Sequence, residues 1–338
     1  MTLRTAQFDY HLPPELVAQT PSAERRASRL LALGRSGAAA LRDLRFGDIL
    51  DLIPAGDLVV LNTTKVRHAR VLGTRPSGAP AEVLLLTPRA DGSWEAMGKP
   101  GSALKPGKRI RLGPDAEIET LEVREEGTRY VKFVGLDATD AMARYGRLPL
   151  PPYIERAPTD ADEERYQTVY AEREGSVAAP TAGLHFTPAL LDALRAKGVR
   201  FAHVDLEVGA GTFKPVEADD PADHHMHVER FEVPAATAAA IGETRARGAK
   251  IWAVGTTVVR TLEASGGTAG RGETQIFIRP GYAFQVVDHL ITNFHLPRST
   301  LLMLVAAFAG HEATMAAYRH AIDQRYRFYS YGDAMVIV

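Results

Sequence analysis

The chain contains no cysteine in 338 residues. That absence excludes disulfide scaffolds, thiolate zinc sites, cysteine nucleophiles and cysteine-ligated iron–sulfur clusters together. Net charge is nearly absent as well: 40 Lys and Arg stand against 41 Asp and Glu, a formal balance of -1. A wholly basic, histone-like nucleic-acid binder is thereby ruled out, although a local basic patch is not. Long hydrophobic runs are also missing. The most apolar stretch, residues 301–310, falls far short of the ~20 residues a spanning helix needs. The first ten residues carry no apolar run of the secretory type, so the expectation is a cytoplasmic protein without membrane association. Chemistry is left to His, carboxylates, hydroxyls, Arg, Lys, backbone groups or a bound small molecule.

What is present is ordinary globular material, 45% hydrophobic and 24% charged, and its length suggests about two domains at ~150 residues each. Residues 46–53 read as an amphipathic helical turn or two, and 58–61 as a buried strand. Residues 82–86, 109–112, 117–123 and 130–134 are closely spaced strand candidates separated by Gly/Pro turns, the pattern of a small barrel or sandwich. Leu148-Pro-Leu-Pro-Pro-Tyr153 reads as an extended linker, because proline drives its predecessor out of the helical region. Further on, Thr187-Pro188 starts a helix that Gly198 stops, and a strand follows at 199–206. Pro234, Gly248 and the strand 250–254 repeat that grammar, which implies partly parallel pairing. A strand at 290–294, a helix at 300–309 capped by Ser299, and a terminal strand at 334–338 complete the reading. The predicted fold class is an α/β main domain with a mixed, partly parallel sheet, built from residues 1–68 and 149–338, plus a small β-barrel domain inserted at 69–148.

The segments that promise chemistry lie just after predicted strands, where open α/β sheets gather ligands. Thr181-Ala-Gly-Leu-His-Phe186 precedes a helix; Gly183 permits close backbone approach, and His185 suits acid–base work near neutral pH. A plain loop with a packed histidine is the simpler alternative. Glu207-Val-Gly-Ala-Gly-Thr-Phe213 holds Gly209 and Gly211, but it lacks a third glycine, and Pro215 blocks a helix, so a dinucleotide turn is rejected. Ala253-Val-Gly-Thr-Thr-Val-Val-Arg260 opens a helix whose free N–H groups suit a carboxylate or phosphate, with Arg260 one turn in. A Thr-capped helix with a surface Arg would look the same. Asp223-His-His-Met-His227 with Glu229 invites zinc or iron, but the region reads as a loop. His295, in Asn293-Phe-His-Leu-Pro297, ends a strand. The aromatics of Tyr329-Ser-Tyr-Gly-Asp333 need no more than packing to explain them. Residues 97–111 carry Lys99, Lys105, Lys108, Arg109 and Arg111 with no acid, a local +5 suited to phosphates, and Arg67, His68 and Arg70 add to it. Six acids in residues 115–126 would partly cancel this field if they lay beside it.

Taken together, these segments resemble one family. Ala178-Ala-Pro-Thr-Ala-Gly-Leu-His-Phe186, Val208-Gly-Ala-Gly-Thr-Phe213, Ala253-Val-Gly-Thr-Thr257 with Arg260, Thr274-Gln-Ile-Phe-Ile278, Thr292-Asn-Phe-His-Leu-Pro297 and Tyr331-Gly-Asp-Ala-Met335 are similar to the S-adenosylmethionine:tRNA ribosyltransferase-isomerases of queuosine biosynthesis. The resemblance spans essentially the whole chain. It implies transfer and isomerisation of the ribosyl part of S-adenosylmethionine onto 7-aminomethyl-7-deazaguanine at the tRNA wobble position, giving epoxyqueuosine, adenine and methionine. It implies the α/β domain with an inserted barrel, S-adenosylmethionine as substrate, tRNA as partner, and neither a metal nor another cofactor. His224 and His227 match family histidines, His225 does not, and Glu207 stands where some relatives have His.

The site residues follow from that reading. His185 and His295 are the candidates for proton transfer, with His224 and His227 next. Asn62, Thr181, Ala182, Gly183, Gly209, Gly211 and Thr212 are expected at the substrate. So are Gly255, Thr256, Thr257, Arg260, Gln275, Asn293 and Tyr331. Arg67, Lys105, Lys108 and Arg109 are expected to meet tRNA. The working unit is taken as a monomer. Two rival readings remain at the level of sequence: a metal-dependent hydrolase on His224, His227 and Glu229, and a non-catalytic RNA-binding protein.

Overall fold

The computed structural model describes residues 3–35, 41–124, 127–209 and 215–338. Its frame is a nine-stranded mixed sheet. The strands run in the order Gly270–Thr274, Glu229–Val233, Arg200–Leu206, Leu58–Asn62, Ile251–Val254, His289–Asn293, Ala334–Ile337, Arg29–Leu33 and Arg42–Arg45. The four strands from Arg200–Leu206 to His289–Asn293 are mutually parallel. Leu58, Val59, Val60 and Leu61 are all fully buried, as the apolar run predicts for a strand covered on both faces. One face packs Val60, Ala253 and Leu290 against Val258, Leu262 and Leu302 of the helices Thr256–Ser265 and Thr300–Ala309. The other packs Val59, Leu61, Trp252 and Val254 against Leu190, Leu191 and Leu194 of Pro188–Lys197.

Local chemistry sets the helix ends where the sequence places them. The Thr187 hydroxyl accepts from Leu190 N at 3.2 Å, Pro188 fills the first turn, and Gly198 adopts φ 95° at the stop. The Ser299 hydroxyl caps Thr300–Ala309 in the same way, through Leu302 N at 3.2 Å. The strands Glu229–Val233 and Gly270–Thr274, the outermost two on one side of the sheet, were not predicted. They pair antiparallel and carry mostly polar side chains, so no apolar run announces them.

Residues 70–147 supply a second, seven-stranded antiparallel sheet. The four predicted strands are present, joined by Arg70–Thr74, Trp94–Lys99 and the short Gly146–Arg147, and the helix Ala138–Tyr145 is an addition to the predicted set. Thr74 pairs with Arg111, so the sheet returns on itself around Val71, Val83, Leu85, Ile110, Ile118 and Val131. No single helix among the described residues is long and apolar enough to cross a membrane.

Candidate active site

The parallel strands Ile251–Val254 and His289–Asn293 end at one cavity, with Val208 beyond the strand Arg200–Leu206 completing the wall. The cavity holds about 570 Å³ of empty space, counted with the solvent at its mouth. Gly255 turns the chain from strand into helix at φ 94°, a conformation that side chains resist. Thr256 and Thr257 follow at the helix start and line the cavity, with their N–H groups lacking partners inside the helix. Thr181 and Ala182 line it from the 3-10 turn Thr181–His185. Asn293 and His295 line it from the end of the neighbouring strand His289–Asn293. No Asp, Glu, Lys or Arg among the described residues lines this space.

The two leading histidines differ in placement. His295 lines the cavity, and its Nε2 lies 2.8 Å from Thr292 Oγ1. Burial pushes its pKa down to about 3, so the ring stays neutral at pH 7. His185 is held in the wall instead. Its Nδ1 meets Ser28 Oγ at 3.0 Å, its Nε2 meets Asn293 Nδ2 at 3.2 Å, and Phe46 stacks on the ring at 4.9 Å. Burial, reinforced by Arg25, lowers its pKa to about 3 as well.

A smaller recess adjoins the cavity and shares Leu301 with it. Gly209, His224, His227, Glu229 and Arg260 line it. Arg260 is not a surface residue: it is buried and paired with buried Glu229. Its Nε and Nη2 are buried with no hydrogen-bond partner among the described residues. Burial raises the Glu229 pKa, and Arg260 opposes that shift. His224 packs edge-on against Phe277 at 5.7 Å, and burial lowers its pKa. Gln275 Nε2 donates to Met226 O at 3.2 Å, tethering the histidine loop. Among the described residues no group of three or more His, Cys, Asp or Glu is arranged to hold a metal ion.

Other expected residues serve the frame. Asn62 is fully buried; its side chain accepts from Thr64 N and Leu206 N and donates to Leu206 O at 3.2 Å and Thr257 Oγ1 at 3.4 Å. It thus ties two strand ends to the start of a helix. At Gly183 an added Cβ would sit 2.1 Å from the Tyr170 hydroxyl oxygen, so the close approach there is to protein rather than to a ligand. Tyr331 donates to Asp162 Oδ1 at 2.6 Å. Arg67 is buried, donates to Gly175 O at 2.7 Å and lies over Trp94. Lys105, Lys108 and Arg109 are exposed, but Arg109 reaches Glu119 at 3.0 Å and Glu117 at 3.3 Å on the neighbouring strand. Gly211 and Thr212 lie outside the described residues.

The sequence reading missed Tyr153 and Tyr329, both of which line the cavity. It treated the first as linker and the second as packing. It also missed the buried carboxylate that holds Tyr331. Burial works to raise the Asp162 carboxyl, but hydrogen bonds from Arg156, Tyr331 and Thr159 outweigh it and hold the group well below the usual carboxylate range. The capping pattern Thr159 to Asp162 was a legible signal for that residue.

A cavity with no charged lining among the described residues, at the carboxyl edge of a mixed, partly parallel sheet, is the ligand-binding place of an α/β enzyme. A family model described as queuosine biosynthesis protein matches residues 5–337, and the chain belongs to that family. It is 54% identical over 341 residues to an S-adenosylmethionine:tRNA ribosyltransferase-isomerase of Thiobacillus denitrificans, covering 99% of this chain and 97% of that one. It is also 54% identical over 349 residues to the enzyme of the same name from Anaeromyxobacter, covering 99% of each. Among solved structures it is similar to the S-adenosylmethionine tRNA ribosyltransferase of Thermotoga maritima. That match has 39% identity and a TM-score of 0.56, over 98% of this chain and 100% of that one.

Proposed function

We propose that the chain transfers and isomerises the ribosyl moiety of S-adenosylmethionine onto 7-aminomethyl-7-deazaguanine at the tRNA wobble position, releasing adenine and methionine. The full-length family membership supports the reading, and one observation supports its placement: among the described residues, Arg260 has two buried nitrogens without partners beside a cavity with no charged lining. In this reading Arg260 and the free amides at Thr256 and Thr257 take the substrate's methionine carboxylate. The nucleoside occupies the larger space, where buried Asn293 Oδ1 has no partner among the described residues and is available to a purine N–H donor.

The chemistry begins at the sulfonium, which acidifies the adjacent 5′ hydrogens. A base removes one to form an ylide. Its electrons open the ribose and expel adenine. The aminomethyl nitrogen attacks the sugar fragment, the ring recloses as a cyclopentane, and methionine leaves as the epoxide forms. His295 is the preferred base, because it lines the cavity, while His185 positions Asn293. His224 and His227 stand at the carboxylate recess as secondary proton carriers. Residues 69–148 act as an inserted barrel domain that carries tRNA contacts at Lys105 and Lys108. The enzyme works as a cytoplasmic monomer.

The test incubates the purified protein with S-adenosylmethionine and the modified tRNA. Adenine and methionine released in equal amounts, undiminished by chelator, are the expected result. No adenine sinks the reading, and loss of activity in chelator would restore the metal-dependent alternative at His224, His227 and Glu229.

A further inference from the structure

Tyr329 has φ 71°, a backbone conformation that costs a side-chain-bearing residue energy and persists only when its surroundings enforce it. Those surroundings are well defined. Its carbonyl accepts from Asn293 Nδ2 at 3.2 Å and from Gly332 N at 3.0 Å. Asp333 clamps the same turn, accepting from Arg29 N at 2.7 Å and Arg327 N at 2.8 Å. The strained turn sets the Tyr329 ring against Tyr153, with centroids 4.7 Å apart and planes inclined by 48°. Tyr153 is fixed in turn by its hydroxyl, 2.6 Å from Ser330 Oγ. Both rings line the main cavity.

That cavity must hold a cation if it takes a sulfonium, yet it offers no carboxylate among the described residues. Ring faces and neutral oxygens are what it has. Aromatic faces attract desolvated cations, including onium groups that cannot donate hydrogen bonds. Both phenols stay protonated at neutral pH, since burial pushes the Tyr329 hydroxyl up to about 12 and raises Tyr153 further. We propose that Tyr153 and Tyr329 form an aromatic clamp that recognises the positive charge of the sulfonium and so separates the substrate from its neutral thioether counterpart. This inference rests on the assignment of S-adenosylmethionine as the substrate.

Calorimetric titration of the full chain with S-adenosylmethionine and with the thioether S-adenosylhomocysteine tests it. The two ligands share carboxylate, amine and purine, so their affinity ratio isolates the charge. The unmodified protein should favour the sulfonium by about tenfold. Tyr153→Phe and Tyr329→Phe keep the ring and should keep the ratio. Tyr153→Leu and Tyr329→Leu should each bring it to within about twofold of unity, and either one suffices if the other does not fold. A ratio that survives both leucine changes overturns the clamp even if both affinities fall, because the rings would then only pack. A ratio near unity in the unmodified protein overturns it too. Failure of the unmodified protein to bind either ligand, together with no adenine release, removes the substrate assignment and the clamp with it.

Discussion

Two histidines that look alike in sequence have different prospects as bases. His295 lines the cavity, whereas both ring nitrogens of His185 are engaged in the wall. His295→Ala should lower turnover by about 10²-fold or more, the usual contribution of a general base, with adenine release as the readout. Turnover within threefold of the parent would remove it from that role. Both histidines also carry a pH signature. Their folded pKa values lie near 3, below the ordinary 6.5, so the unfolded chain takes up protons that the folded one refuses. Stability should therefore be full above pH 6.5 and fall as the pH drops from there toward 3. Between pH 6.5 and 5 the loss is about 2 kcal/mol for each ring. Urea midpoints at pH 7.5, 6 and 5 measure it, and His185→Gln should flatten the dependence. The sequence pointed to segments that line the cavity but not to the orientation of each side chain. Placing His295 in the cavity and His185 behind it depends on partners as distant in the chain as Ser28.

At the scale of elements, the helix Thr256–Ser265 joins the cavity to the recess. Its start lines one, and Arg260, a turn later, lines the other. Arg260→Met should raise KM for S-adenosylmethionine tenfold or more with a smaller effect on kcat. It should also destabilise the fold by about 3 kcal/mol, because it leaves Glu229 buried without its partner. Adding Glu229→Gln should recover much of that stability and none of the KM, as steady-state kinetics and thermal melts would show. If KM recovers with stability, Arg260 is structural. Helix ends were legible because their causes are local: Thr187 caps, Pro188 presets φ, and Gly198 accepts a left-handed turn within one segment. The Arg260–Glu229 pair was not legible, because the mostly polar strand that carries Glu229 has no apolar periodicity to mark it. The strain at Tyr329 left no sequence mark, since tyrosine is not a residue that advertises a left-handed conformation.

For the whole molecule, the near-zero net charge conceals an uneven distribution, but less than the sequence suggests. The acids of the strand Glu117–Val123 lie beside Arg109 and Arg111 and neutralise much of the +5 segment, whereas Lys105 and Lys108 remain exposed. Reversing Lys105 and Lys108 to Glu should weaken tRNA binding and lower its salt slope by about one unit for each phosphate that is no longer neutralised. Affinity and slope equal to the parent's would place the RNA elsewhere. The second sheet was anticipated from closely spaced strands and turns. Its closing pair, Thr74 with Arg111, was not, because register between distant strands leaves no local trace. The partly parallel main sheet was legible from the helix–glycine–strand repeat, whereas the strand order depends on crossovers that no single segment encodes.

All three scales meet at the placement of one ligand. A crystal structure of this protein with S-adenosylmethionine bound is the most direct test of that placement. The methionine carboxylate should lie on Arg260 and the amides of Thr256 and Thr257, with the sulfonium beside Tyr153 and Tyr329. Density for the ligand away from those residues, for example in the groove lined by Arg173, Glu207 and Arg271, would contradict it.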